Sequence, residues 1–363
     1  TMLIKDLLNH IETFAPLALA LDWDNVGLLL GDRAATVNKA LVTLDVTPTA
    51  VDKAIERGCD LIVSHHPLIF RPLKSLTDPL LLKLAARGIA VICLHTNLDV
   101  APYGVNHALA DALGLQVTGR LSLETGNRWQ HISVTVPPAK AEDVARAAFA
   151  AGAGRIGNYG SCSTRHPITG TFLPGQGARP QLEQPDAQGL SRVEEVELEF
   201  MADSLCLPQV LQAIRAAHPY ETPALYHFPV ANANPAYGLG LLGEFVPRLS
   251  LGEIRELVSD KLDCPAPRIW TAGLDLAAPV GTVAICGGSG GSLLNDAQRQ
   301  AELFISGDLS YHSLLDSRIP LIDAGHFHTE YPVLGYLQKQ LRSQGLEAVI
   351  LPREEHEYSR FCF

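Results

Sequence analysis

No apolar stretch in this sequence approaches the roughly 18 residues that a membrane span requires. Runs of Lys or Arg are also absent. The 28 basic residues stand against 39 acidic ones, and the net charge of -11 argues against a nucleic-acid backbone as partner. There is no C-x-x-C pair, and the seven cysteines (Cys59, Cys93, Cys162, Cys206, Cys264, Cys286, Cys362) are odd in number and scattered. That pattern argues against a disulfide framework or a zinc ribbon and predicts reduced, mostly buried thiols. The opening Thr1-Met2-Leu3-Ile4-Lys5 lacks the basic flank and cleavage site of a signal peptide, so a cytoplasmic location is expected. Charged residues are only 18 % of the chain, whereas hydrophobic residues reach 47 %, enough to fill a core and to exclude a disordered chain. Across 363 residues, two or three domains are expected.

Apolar spacing predicts an opening helix through Leu3, Leu7, Leu8, Ile11 and Phe14. Buried strands follow at 40–46, 60–64 and 89–94. They alternate with helices at 48–57, from Asp78-Pro79 to Gly88, and at about 105–113. The same grammar returns late in the chain. Strands at 282–285, 302–306 and 320–323 alternate with helices that include 309–316 and 330–341. Alternating strands and helices imply mostly parallel sheet covered on both faces. Asp60-Leu61-Ile62-Val63-Ser64 and Glu302-Leu303-Phe304-Ile305-Ser306 share a pattern, which suggests two similar α/β halves whose strand ends could face one cleft. Between them, strands at 131–136, 168–173, 193–200 and 224–229 with helices at 139–150 and 205–217 give the ferredoxin-like order β-α-β-β-α-β. A Gly/Pro/Gln-rich loop, 174–189, lies within it. The expected division is 1–128, an inserted 129–236, and 237–363.

Chemistry-bearing residues gather in three short motifs. Ser64-His65-His66-Pro67 ends a buried strand, where open parallel sheets place their ligands. A lone histidine there would read as structural, but two adjacent imidazoles favour a shared cleft. His95-Thr96-Asn97-Leu98-Asp99 follows the next strand. Its imidazole and carboxylate suit a hard or borderline cation, although taken alone it reads rather as a loop with an Asx-type turn held by Asn97 and Asp99. Gly325-His326-Phe327-His328-Thr329-Glu330 follows a strand of the second half. A helix beginning near His326 would place His326 and Glu330 on one face, four residues apart. Thr329-Glu330 also reads as a helix start in which the acid answers the macrodipole. Together His65, His66, Asp99, His326 and Glu330 exceed the needs of one zinc ion. They favour two divalent ions with open positions for water, where a bridging hydroxide would be a nucleophile near neutral pH. His95, Asp308 and His312 are candidates for proton transfer or for orienting the ligands.

The glycine motifs are weaker. Gly238-Leu239-Gly240-Leu241-Leu242-Gly243 enters a strand instead of following one, which excludes a dinucleotide site. Gly287-Gly288-Ser289-Gly290-Gly291-Ser292 could offer amides to a phosphate, or form a tight structural turn, and it lacks the P-loop lysine.

The three histidine motifs, together with Asp22-Trp23-Asp24-Asn25-Val26-Gly27-Leu28, resemble the Nif-three-like dinuclear-metal family, often labelled GTP cyclohydrolase 1 type 2 homologues. Gly170-Thr171-Phe172-Leu173-Pro174-Gly175 and His218-Pro219-Tyr220-Glu221 resemble the PII-like insert of its longer members, with Thr222 standing where a second acid is expected. The resemblance implies a split α/β domain with an inserted ferredoxin-like (PII-like) α+β domain. It also implies two metals: His65 and Asp99 on one, His66 and His326 on the other, and Glu330 bridging. A ring-shaped homohexamer with sites facing an internal cavity is implied as well. Mixed N/O ligands admit zinc, iron, manganese or nickel. The expected function is a metal-dependent hydrolase of a small molecule, a nucleotide by the resemblance alone. The alternative is a non-catalytic metal-binding or regulatory protein with a ligand-sensing insert.

Overall fold

Helix Ile4–Phe14 forms where the apolar spacing places it, and it buries Ile4, Leu7, Leu8 and Ile11 along one face. The computed structural model describes residues 1–123, 128–182 and 184–360. Two units are present, Thr1–Thr125 with Pro235–Phe363 and, between them in sequence, Gly126–Asn234. In the first unit the turn residues set the helix starts. Thr47 and Asp78 each precede a proline and accept backbone N–H groups through their side chains, opening helices Pro48–Glu56 and Pro79–Ala86.

Two sheets organise that unit. The first has five strands in the order Glu347–Ile350, Lys39–Thr43, Leu61–Ser64, Ala90–Cys93, Gly27–Leu30. The first four are parallel and the edge strand Gly27–Leu30 is antiparallel. Leu61, Val63 and Ile92 face helices Ile4–Phe14 and Val333–Ser343, whereas Leu41, Ile62 and Val91 face helices Pro48–Glu56 and Pro79–Ala86. Cover on both faces explains why these strands read as unbroken apolar runs. The second sheet has six strands in the order Arg268–Trp270, Leu321–Asp323, Leu303–Gly307, Thr282–Ser289, Leu239–Glu244, Gln116–Ser122. Only Leu321–Asp323, Leu303–Gly307 and Thr282–Ser289 are mutually parallel. Leu61–Ser64 and Leu303–Gly307 are alike in setting: each has a parallel strand on both sides and is wholly buried.

In the second unit, strands Arg128–Val136, Thr164–Phe172, Ser191–Asp203 and Leu225–Ala233 form an antiparallel sheet. The spatial order is Leu225–Ala233, Arg128–Val136, Ser191–Asp203, Thr164–Phe172. Helices Ala141–Ala150 and Leu207–Ala217 pack on one face through Val144, Ala148, Val210 and Ile214 against Val134, Leu198 and Phe200.

Three elements differ from the sequence reading. His95–Asp99 is not a loop, because Thr96–Val100 is a short helix whose first amide, on Thr96, donates to the distant Asp24 carboxylate. The helix expected over 330–341 is two, His326–Glu330 and Val333–Ser343, separated at Tyr331-Pro332. Strand Gln116–Ser122 has no apolar alternation to announce it, and four of its first five residues are at least partly exposed polar or glycine positions. The six described cysteines are free, and Cys362 lies outside the described residues. Among the described residues no helix is long and apolar enough to cross a membrane.

Candidate metal centre

The carboxyl ends of three adjacent parallel strands carry most of the site. Lys39–Thr43 leads to Asp45, Leu61–Ser64 to His65 and His66, and Ala90–Cys93 to His95 and the helix bearing Asp99. From the second sheet, Leu303–Gly307 leads to Asp308, and Leu321–Asp323 to the helix His326–Glu330. That helix places His326 and Glu330 at i and i+4, with His326 Nε2 3.1 Å from Glu330 Oε1. His66 Nε2 lies 3.0 Å from Glu330 Oε2, and His65 Nε2 lies 3.5 Å from Glu330 Oε1 and 3.8 Å from Asp99 Oδ1. His66 and His326 face each other Nε2 to Nε2 at 3.3 Å. The metal-ligand atoms of His65, His66 and Glu330 all lie within 4.8 Å of one another.

Each imidazole is held by its other nitrogen. His65 Nδ1 donates to the Leu94 carbonyl at 2.7 Å, His66 Nδ1 to Asp45 Oδ1 at 2.8 Å, and His326 Nδ1 to Asp308 Oδ2 at 2.7 Å. This arrangement sets the tautomer and leaves three Nε2 lone pairs directed at one space. His65 Nε2 and Glu330 Oε2 are buried and make no hydrogen bond, despite the short separations around them. Buried polar atoms left unmade in this way are costly unless something else satisfies them. Two ligands bound at 2.0–2.1 Å to a tetrahedral ion would sit about 3.4 Å apart, which matches the spacings here. The donor set therefore fits a divalent cation of hard or borderline character.

Charge in the cluster is strongly coupled. Burial opposes ionisation of Glu330, but His65, His326 and His66 around it hold its carboxyl well below the ordinary range. Burial likewise opposes protonation of His66 and His326, yet the carboxylates beside them raise these groups to about 10 and about 9. Asp99 is pushed up by burial, with the Glu330 charge adding to the effect. The cluster thus favours an ionised Glu330 among positively charged imidazoles, with Asp99 biased toward its neutral acid.

His95 stands beside the cluster, its ring 5.4 Å from that of His65 and 5.6 Å from that of His66. Its Nδ1 donates to Asp24 Oδ1 at 2.9 Å, and Thr96 donates to the other oxygen of Asp24. Burial would raise Asp24, but the contacts from His95 and Thr96 prevail and lower it to about 2. His312 is not brought to the cluster. It is exposed on helix Tyr311–Asp316, and its ring contact is with Tyr311. Asp45 and the role of Asp24 are absent from the sequence reading. The available signal for Asp45 was its position two residues past a buried apolar strand, matching that of His66. The glycine loop proves structural: the amides of Gly287 and Gly288 donate to Asn106 and Thr329. A Cβ on Gly288 would overlap Glu330 Oε1 and crowd His326.

Fold and cluster together define an α/β protein with a buried His–His–Glu site able to hold a metal ion. The chain belongs to the Duf34/NIF3 (NGG1p interacting factor 3) family, whose model matches residues 2–356. It is 35 % identical over 332 residues to a GTP cyclohydrolase 1 type 2 homolog of Halalkalibacterium halodurans, covering 89 % of this chain and 88 % of that protein. The Bacillus subtilis protein of the same name is 36 % identical over 332 residues, with the same coverage. Among solved structures, a Bacillus cereus protein related to NIF3 superposes with a TM-score of 0.80 at 34 % identity, over 99 % of this chain and 98 % of that one.

Proposed function

We propose that this protein is a metal-dependent hydrolase of the GTP cyclohydrolase 1 type 2 homologue group that holds two divalent ions. His65 and Asp99 hold one, His66 and His326 the other, and Glu330 spans both. The observation that carries this reading is the convergence of three anchored imidazoles on a buried carboxylate at ligand-to-ligand spacing. Zinc, iron, manganese and nickel all suit the donors. Ions bound there would acidify water and polarise an electrophile. The chain's own residues supply the rest. Asp24 fixes Nδ1–H of His95, which leaves Nε2 to accept a proton, and Asp45 and Asp308 hold His66 and His326 in register. Trp23, 57 % exposed and edge-on to His95, offers a flat surface for a planar substrate such as a nucleobase. In this reading the second unit is the PII-like insert, and six chains assemble as a ring.

Elemental analysis of the reconstituted protein should find close to two divalent ions per chain, with one selectively weakened in His65→Ala or Asp99→Ala. A nucleotide panel should reveal a turnover that His66→Ala abolishes. At most a trace of metal after reconstitution would end the dinuclear reading. Two ions without turnover of any nucleotide would leave a metal-binding protein in place of a hydrolase.

A further inference from the structure

A partly open cleft lies far in sequence from the histidine cluster, within Gly126–Asn234. Its origin is visible in strand Ser191–Asp203. Leu198, Phe200 and Ala202 face the two helices of the unit. At the other end of the strand the opposite face is the buried one, through Ser191, Val193 and Glu195. Among the described residues of this unit no helix packs on that face. Residues 173–175 and 178–182 and the turn after His218 line a cleft there of about 500 Å³.

The two motifs of this unit that the metal centre leaves unused meet there. Gly170 pairs with Val193 across the sheet, and any Cβ at that position would overlap Glu195 Oε2, so the glycine is what leaves room for the carboxylate. His218 donates through Nε2 to the Thr135 carbonyl at 2.8 Å and accepts the Tyr220 amide on Nδ1 at 3.1 Å. Those bonds fix the turn that brings Tyr220 to the cavity wall. The Tyr220 hydroxyl is buried and faces the Glu195 carboxylate. Burial, reinforced by Glu195, pushes the phenol pKa upward and keeps the group protonated. Glu195 is only 7 % exposed, and among the described residues no Lys, Arg or His lies within ion-pairing distance of it. Arg179 lines the same cavity without pairing with it. Phe172 and Leu173 supply apolar wall. A buried carboxylate without a counter-ion, beside a buried hydroxyl in a cleft of ligand size, suits a cation that arrives from outside.

We propose that this cavity binds a small organic cation with an apolar body, an amine or amidine whose N–H groups meet the Glu195 carboxylate and the Tyr220 hydroxyl while the rest lies on Phe172 and Leu173. Amidinium is the natural probe, because its paired N–H groups match a carboxylate.

The experiment is calorimetric titration of the full-length, metal-loaded protein with benzamidine, and with benzoate as the isosteric anion. Benzamidine should bind saturably, one per chain, in the millimolar range or tighter, and benzoate should not. Glu195→Gln should weaken benzamidine binding at least about tenfold with metal content unchanged, and Tyr220→Phe should weaken it by less. Glu199→Gln alters an acid elsewhere on the same strand and should bind as the parent does. Gly170→Ala, which displaces the carboxylate without removing it, covers the case in which Glu195→Gln folds poorly. It should lose binding while the melting transition persists. Equal binding of benzoate, undiminished binding by a folded Glu195→Gln or Gly170→Ala protein, or no saturable benzamidine binding would each overturn the proposal.

Discussion

Glu330 lies within 3.5 Å of three imidazole nitrogens, the carboxylate through which the rest of the cluster is connected. Glu330→Gln preserves its size and removes the charge that would offset repulsion between two close dications. Elemental analysis should find at most one tightly held ion, and any hydrolysis should fall at least about 100-fold. A variant keeping both ions and full turnover would show that Glu330 is only a helix acid. Asp24 provides the acid-stability test. Folding lowers its carboxyl from 3.8 to about 2, so the ionised form belongs preferentially to the folded state. Its stabilising contribution is complete above pH 4 and is lost as pH falls from 4 toward 2. Urea titrations of Asp24→Asn should show a shallower loss of stability across that window than the parent shows, and a destabilisation of about 2 kcal/mol at neutral pH. An unchanged acid profile would contradict this role. The histidines and Glu330 were legible in the sequence because they crowd into short motifs at the ends of apolar strands. Asp45 and Asp24 were not, because they meet their histidines across 21 and 71 positions of chain.

At the scale of elements, strand Thr282–Ser289 matters most. It continues through Gly287 and Gly288 instead of ending before them, and Gly288 adopts φ +68° where it passes Glu330. Gly288→Ala therefore imposes both backbone strain, about 1–2 kcal/mol, and a methyl group against the Glu330 carboxylate. Metal content should fall more sharply than the melting temperature, read on the same preparation. A stable variant with full metal content would show that the glycine serves only the turn. The parallel strands were readable because cover on both faces makes their sequences uniformly apolar. The short helix Thr96–Val100 was not, since the carboxylate that receives its first amide comes from Asp24 and leaves no local cap signal. The division at Tyr331-Pro332 was hidden by apolar spacing that runs across it.

For the whole molecule, the alternation of strands and helices made the α/β class legible, and the repeated Leu-x-x-Ser strands each lie within a sheet between parallel neighbours, although Glu347–Ile350 and Gln116–Ser122 each join the sheet of the other expected half. The mixed direction of the second sheet was beyond reach, because Gln116–Ser122 pairs with a strand more than a hundred residues later. Assembly is tested by light scattering: the proposed ring requires six times the 39.1 kDa of one chain. A stable monomer at micromolar concentration would refute it.

His66 and His326 lie 260 positions apart, with the entire second unit between them in sequence. An ion shared across that interval would act as a cross-link closing a very long loop, which in the chain-entropy account of disulfides is worth about 5 kcal/mol. Such an ion would also impose an order on biosynthesis: a chain stopped between residues 99 and 326 would carry His65, His66 and Asp99 without His326 or Glu330, so the complete donor set would form only after the last of these was made.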